Sequence, residues 1–137
     1  MQTEENRDRG QLFQGLVEQF LIRQGKQVEN KGCWGFDIKY MTPNKEVKLE
    51  VKGISALVRT DNRTARFAFD VDTLPQGIDG VAFVISDLKL NVEPSVVFVQ
   101  AKPVLDYVAK HKGIGQLVHV PLHQVRRWHT NGYQLDL

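Results

Sequence analysis

Two stretches of strict alternation, separated by four turn residues, constrain this chain more than anything else in it. Gly35-Phe36-Asp37-Ile38-Lys39-Tyr40-Met41 leads into Thr42-Pro43-Asn44-Lys45, and Glu46-Val47-Lys48-Leu49-Glu50-Val51-Lys52-Gly53 follows. Apolar and polar residues alternate with the period of a half-buried strand, and Pro43-Asn44 is turn chemistry. The pattern predicts an antiparallel hairpin. Phe36, Ile38 and Tyr40 share one face with Val47, Leu49 and Val51. Asp37 and Lys39 share the other with Lys48, Glu50 and Lys52. If Met41 pairs with Glu46, counting back opposes Lys39 to Lys48 and Asp37 to Glu50.

That register sets two carboxylates side by side. Directly opposed side chains have Cβ atoms ~5 Å apart, and like charges there repel. Such a pair needs a cation between its members or a shared proton. Hard oxygen ligands suit Mg²⁺, with Mn²⁺ as a substitute, and Mg²⁺ keeps waters free for a substrate phosphate. Lys52 shares the face of Glu50, where a cation orients or helps to deprotonate an attacking water. The set suits metal-assisted hydrolysis of a phosphodiester. An E-x-K triplet on an amphipathic strand is also what an ordinary solvated face presents, and the opposed Lys39 and Lys48 suggest a face that tolerates like charges.

The spacing from Asp37 to Glu50-Val51-Lys52-Gly53, behind a helix carrying Gln or Glu, resembles the PD-(D/E)xK nuclease superfamily of restriction endonucleases, junction resolvases and repair nucleases. The resemblance covers roughly the first half of the chain. Phe36 stands where the motif's name puts proline. The resemblance implies a restriction endonuclease-like α/β core: a mixed central sheet flanked by helices, in the order helix, three strands, then further strands and a helix. It implies metal ligation by Asp37, Glu50 and the Val51 carbonyl, with Lys52 as the catalytic cation. It also implies a further catalytic residue on the N-terminal helix, either Gln14 or Glu18, one turn apart on one face.

That helix is expected from about Asp8 to Gln24. Leu12, Phe13, Leu16, Val17, Phe20 and Leu21 form its apolar stripe, and Gly25 is its C-cap. Beyond the hairpin, Phe67, Phe69 and Val71 alternate as a strand, and residues 74–80 read as an irregular connection. Val81 to Ile85 is an apolar run buried on both faces; residues 87–94 form a loop and Ser95 to Gln100 another strand. Pro103 suits the first turn of a helix running to about Lys112. Leu117 to Val120 is a last strand, and Leu122 to Trp128 a final helical turn. One domain spans residues 1–137.

A net charge of +2 is no nucleic-acid signature by itself. Distribution matters more. Arg59, Arg63 and Arg66 bracket a stretch whose only acid is Asp61, just past the Glu50-Val51-Lys52 strand, and with Lys39 and Lys48 they are candidate DNA-phosphate contacts. Arg126 and Arg127 form a smaller second basic patch. The single cysteine, Cys33, cannot form an internal disulfide. With no secretory pattern and no membrane-length apolar run, a cytoplasmic location is expected. His119 and His123 flank Pro121 and do not share a helix face as a zinc pair does. Gly113-Ile114-Gly115 lacks the rest of a dinucleotide fingerprint, so no nucleotide cofactor is expected.

The leading expectation is a Mg²⁺-dependent DNA endonuclease. A homodimer is expected too, since one site per chain cuts two strands most simply across a two-fold axis. The alternative is a non-catalytic nucleic-acid-binding or assembly module that keeps the fold.

Overall fold

The computed structural model describes residues 4–29, 37–54, 65–74, 76–86, 94–113 and 115–137. The elements are α1 (Glu4–Arg23), β1 (Val28–Glu29), β2 (Ile38–Met41), β3 (Glu46–Ile54), β4 (Arg66–Asp70), a 3₁₀ turn (Val71–Thr73), β5 (Gly80–Ile85), β6 (Ser95–Gln100), α2 (Ala101–Lys110), β7 (Leu117–Pro121) and α3 (Leu122–Thr130). A five-stranded sheet has the order β1-β2-β3-β5-β6, and β4 and β7 form a separate two-stranded ribbon. The fold is α/β with a mixed sheet, because β3 and β5 run parallel and the other neighbours antiparallel.

Helix α1 starts four residues before the expected Asp8. It ends where the glycine dictates. Gly25 has φ of 82°. Its N–H donates to the Ile22 carbonyl at 2.9 Å, and the Lys26 N–H donates to the Leu21 carbonyl at 3.0 Å. This is the Schellman arrangement, which satisfies the last carbonyls of a helix. Phe13, Val17 and Leu21, four residues apart, bury against Ile38, Tyr40, Val47, Leu49, Ala82, Val84 and Phe98. Leu12 sits about 100° around the helix from Phe13 and is exposed, contrary to its place in the expected stripe.

The opposite face of the sheet is covered by the ribbon, α2 and α3. Phe67 and Phe69 of β4, Val118 and Val120 of β7, Val104 and Val108 of α2, and Leu122, Val125 and Trp128 of α3 pack on Val81, Phe83 and Val99. Strand β5 is therefore buried on both faces, as its continuous apolar run requires.

The strand through Phe67 and Phe69 forms, but it does not join the main sheet. Parallel β3 and β5 need a connection that crosses a face of the sheet. Strand β4 lies within that connection and pairs with β7 over five residue pairs. The main sheet's third strand on the hairpin side is instead the two-residue β1, which pairs Val28 with Tyr40 and Glu29 with Lys39. Helix α2 ends at Lys110, two residues short of the expected end. No described helix is long and apolar enough to cross a membrane.

Candidate active site

The β2–β3 hairpin has the register that its alternation implies: Met41 faces Glu46, Tyr40 faces Val47, Lys39 faces Lys48 and Ile38 faces Leu49. Thr42 closes the turn. Its Oγ1 and the Lys45 carbonyl are 2.9 Å apart, and it accepts the Lys45 N–H at 3.1 Å. At the other end the ladder stops at Ile38, one residue short of an Asp37–Glu50 pair. The Asp37 N–H donates to the Leu49 carbonyl at 2.9 Å. Its Oδ2 then accepts the Val51 N–H at 2.8 Å. The acid is thus bound to β3 twice, by backbone and by side chain, beside the residue that carries Glu50.

Side chains across neighbouring strands point to the same face. Glu50 lies level with Val81 and Lys52 level with Phe83, so both face the ribbon layer and point away from α1. The Asp37 and Glu50 carboxyls are in hydrogen-bond contact with each other. Lys52 Nζ lies 3.5 Å from Glu50 Oε1, with the Glu50 side chain 15% exposed and that of Lys52 26%. The same ammonium lies 5.0 Å from the centre of the Phe69 ring.

Electrostatics follow from this crowding. Burial raises the Glu50 carboxyl, the Asp37 charge raises it further, and Lys52 only partly offsets them, leaving it at about 7. Burial also raises Asp37, against the pull of the Val51 N–H and Lys52. Even with Lys52 beside it, the carboxyl pair holds a proton near neutral pH, the condition a bound cation would relieve.

Gln14 and Glu18 are half-buried on α1. That helix packs on the far face of the sheet, where the Phe13 ring lies against Gly53. Among the described residues no group of three His, Cys, Asp or Glu side chains is arranged to hold a metal. Lys39 pairs with Glu29 at 3.2 Å and with Glu46 at 3.5 Å, which offsets its like-charged neighbour Lys48. Arg66 is exposed on β4. Cys33, Phe36, Arg59 and Arg63 lie outside the described residues. His119 falls in β7 and His123 in α3, so they share no helix face.

Two features of this region escaped sequence reading. One is the Phe69 contact. Its strand was legible, but its partner lies seventeen residues away in another sheet. The other is Asp79, which precedes β5. Its N–H donates to the Lys48 carbonyl at 2.8 Å, its Oδ2 accepts the Lys48 N–H at 2.9 Å, and its Oδ1 meets Lys45 Nζ at 2.6 Å. Burial alone would raise the Asp79 carboxyl, but Lys45 and the Lys48 N–H hold it below the usual range. This clamp aligns β5 beside β3.

No protein-family model and no curated protein matches the chain. Among solved structures, it is similar to a bacterial homing endonuclease, I-Ssp6803I, with 14% identity and a TM-score of 0.55, covering 88% of this chain and 77% of that one. The chain has a nuclease-like fold. At that identity the likeness is one of architecture alone.

Proposed function

We propose that the protein is a metal-dependent DNA endonuclease of the PD-(D/E)xK type, hydrolysing phosphodiester bonds at Asp37, Glu50 and Lys52. One observation carries the reading. Two carboxyls touch in a mostly buried corner with a lysine ammonium beside them. A surface with no use for that arrangement would shed the repulsion by replacing either acid.

The donor set fits a hard divalent cation, Mg²⁺ or Mn²⁺. Asp37 and Glu50 would hold it, with the Val51 carbonyl as the third oxygen of the motif. When bound, the ion would supply Lewis acidity toward the phosphate and a more acidic water. The chain's own residues do the rest. Val51 fixes Asp37. Lys52 offers a cation to the charge that builds on the phosphoryl oxygens as the bond breaks. Lys39, Lys48 and Arg66 would contact flanking phosphates without reading sequence. A homodimer would bring two such sites to the two strands of a duplex. Gln14 or Glu18, half-buried on α1, would complete the site through the ion or a water.

A second reading is a nucleic-acid-binding or assembly module that keeps the nuclease fold, in which the Glu50–Lys52 ion pair and the Asp37–Val51 bond serve only to hold the strands. Incubation with supercoiled plasmid separates the two. Nicked or linear product with Mg²⁺ or Mn²⁺, and none with EDTA, is expected of the nuclease. Intact plasmid under every condition, with DNA binding retained, supports the module.

A further inference from the structure

We propose that Phe69 is the positioning residue for Lys52: its ring face, supplied by the β4–β7 ribbon, fixes the ammonium beside Glu50. The contact joins two sheets. Lys52 Nζ lies 5.0 Å from the Phe69 ring centre, within the ~6 Å range of a cation–π contact. It lies 3.5 Å from Glu50 Oε1 on another side. A lysine stem is flexible and an exposed one wanders; this one is held from two directions.

The ring is the fixed partner. Phe69 is fully buried. It packs against Phe83 with ring centres 6.3 Å apart and planes at 63°, and Phe83 faces Lys52 in the β3–β5 register. Its strand is anchored to β7 along its whole length. The core at this point needs only an apolar side chain of similar volume. An aromatic face directed at an ammonium is a further property, and it is the one that bears on the site.

The kinetic consequence rests on the nuclease reading; the structural one does not. Both are tested with Phe69→Leu, which keeps apolar bulk and removes the ring, and Phe69→Tyr, which keeps the ring. The first measurement is the NMR signal of the Lys52 ε-methylene, assigned with Lys52→Arg. The ring current of Phe69 should displace it from the signals of exposed lysines in wild type. It should return toward them in Phe69→Leu and stay displaced in Phe69→Tyr. A Lys52 signal that sits with the exposed lysines in wild type overturns the proposal, whether or not the variants fold. So does a signal that does not move in folded Phe69→Leu. In the cleavage assay Phe69→Leu should lower kcat by roughly threefold to thirtyfold with KM unchanged, and Phe69→Tyr should retain most of it. An effect on KM alone, or equal losses in both variants, overturns the positioning role. If wild type cleaves no DNA while its Lys52 signal is displaced, the aromatic shelf stands and the nuclease reading fails.

Discussion

The Asp37 carboxylate accepts a hydrogen bond from the Val51 N–H at 2.8 Å, so the first acid of the site hangs from the strand that carries the second. The ladder ends one residue early to allow this. An Asp37 without that bond would have its side chain free to swing. Here the side chain is tethered and the two carboxyls are forced into contact. The repulsion is built into the backbone.

Glu50 titrates at about 7 in the fold against an ordinary value of 4.5. Between those pH values the folded chain holds a proton that the unfolded chain has released. Stability of the metal-free protein should therefore fall as pH rises from about 4.5 through 7, by on the order of 2 kcal/mol. Glu50→Gln should flatten this fall, and Mg²⁺ or Mn²⁺ should raise the melting temperature more at pH 8 than at pH 5. Thermal melts across this range check it. Stability that rises steadily over the window would be inconsistent with a strained pair.

Asp79 is the opposite case, a carboxylate held by partners. Asp79→Ala removes the Lys45 ion pair and the Lys48 N–H bond. It should destabilise the fold by about 1–3 kcal/mol, measured by urea unfolding. The site's metal affinity should change little, since Asp79 lies at the turn end of the hairpin. Its depressed pKa gives the reverse pH sign: its contribution is present above about pH 4 and is lost on acidification.

Gly53 follows Lys52 directly, and a Cβ there would run into the Phe13 ring. Gly53→Ala should therefore cost about 1–3 kcal/mol by overpacking. The loss should shrink when Phe13 is also changed to Leu. An unchanged melting temperature in Gly53→Ala would mean that α1 does not press on β3 as described.

Lys39, Lys48 and Arg66 replaced together by Ala should weaken DNA binding across unrelated sequences. The magnitude of the slope of log affinity against log salt should fall by up to about 3, one for each phosphate that is no longer neutralised. Fluorescence anisotropy at several salt concentrations measures it. Identical slopes would remove these residues from the DNA surface.

Much of the hairpin was legible because its information is local. Alternation set its faces, Pro43-Asn44 set its turn, and counting from Met41 and Glu46 gave the register through Ile38 and Leu49. Gly25 ended α1 and the Val81–Ile85 run gave a central strand for equally local reasons. What stayed hidden depends on partners distant in sequence. The Phe67–Phe69 alternation announces a strand but cannot say that β7 is its neighbour. Nothing near β3 announces that β5 lies parallel to it. The same limit applies to the site: Asp37, Glu50 and Lys52 could be read from spacing, whereas the Phe69 shelf and the Asp79 clamp come from chain crossings. Gln14 and Glu18 could be put on one helix face, but which face of the sheet that helix covers was not legible.

The most direct measurement is side-by-side cleavage of duplex, nicked, branched and single-stranded DNA by wild type, Glu50→Gln and Lys52→Ala, each with Mg²⁺, Mn²⁺ or EDTA. Wild type should cleave at least one substrate only with a divalent ion. Lys52→Ala should lose about 10²–10³-fold in rate, the scale for removing one group that stabilises transition-state charge, while still binding Mn²⁺. Glu50→Gln should lose activity together with ion affinity, and raised Mn²⁺ should recover part of it. Folded wild-type protein that cuts none of these substrates with either ion, or variants that cut as fast as wild type, would contradict the assignment of this cluster as a nuclease site.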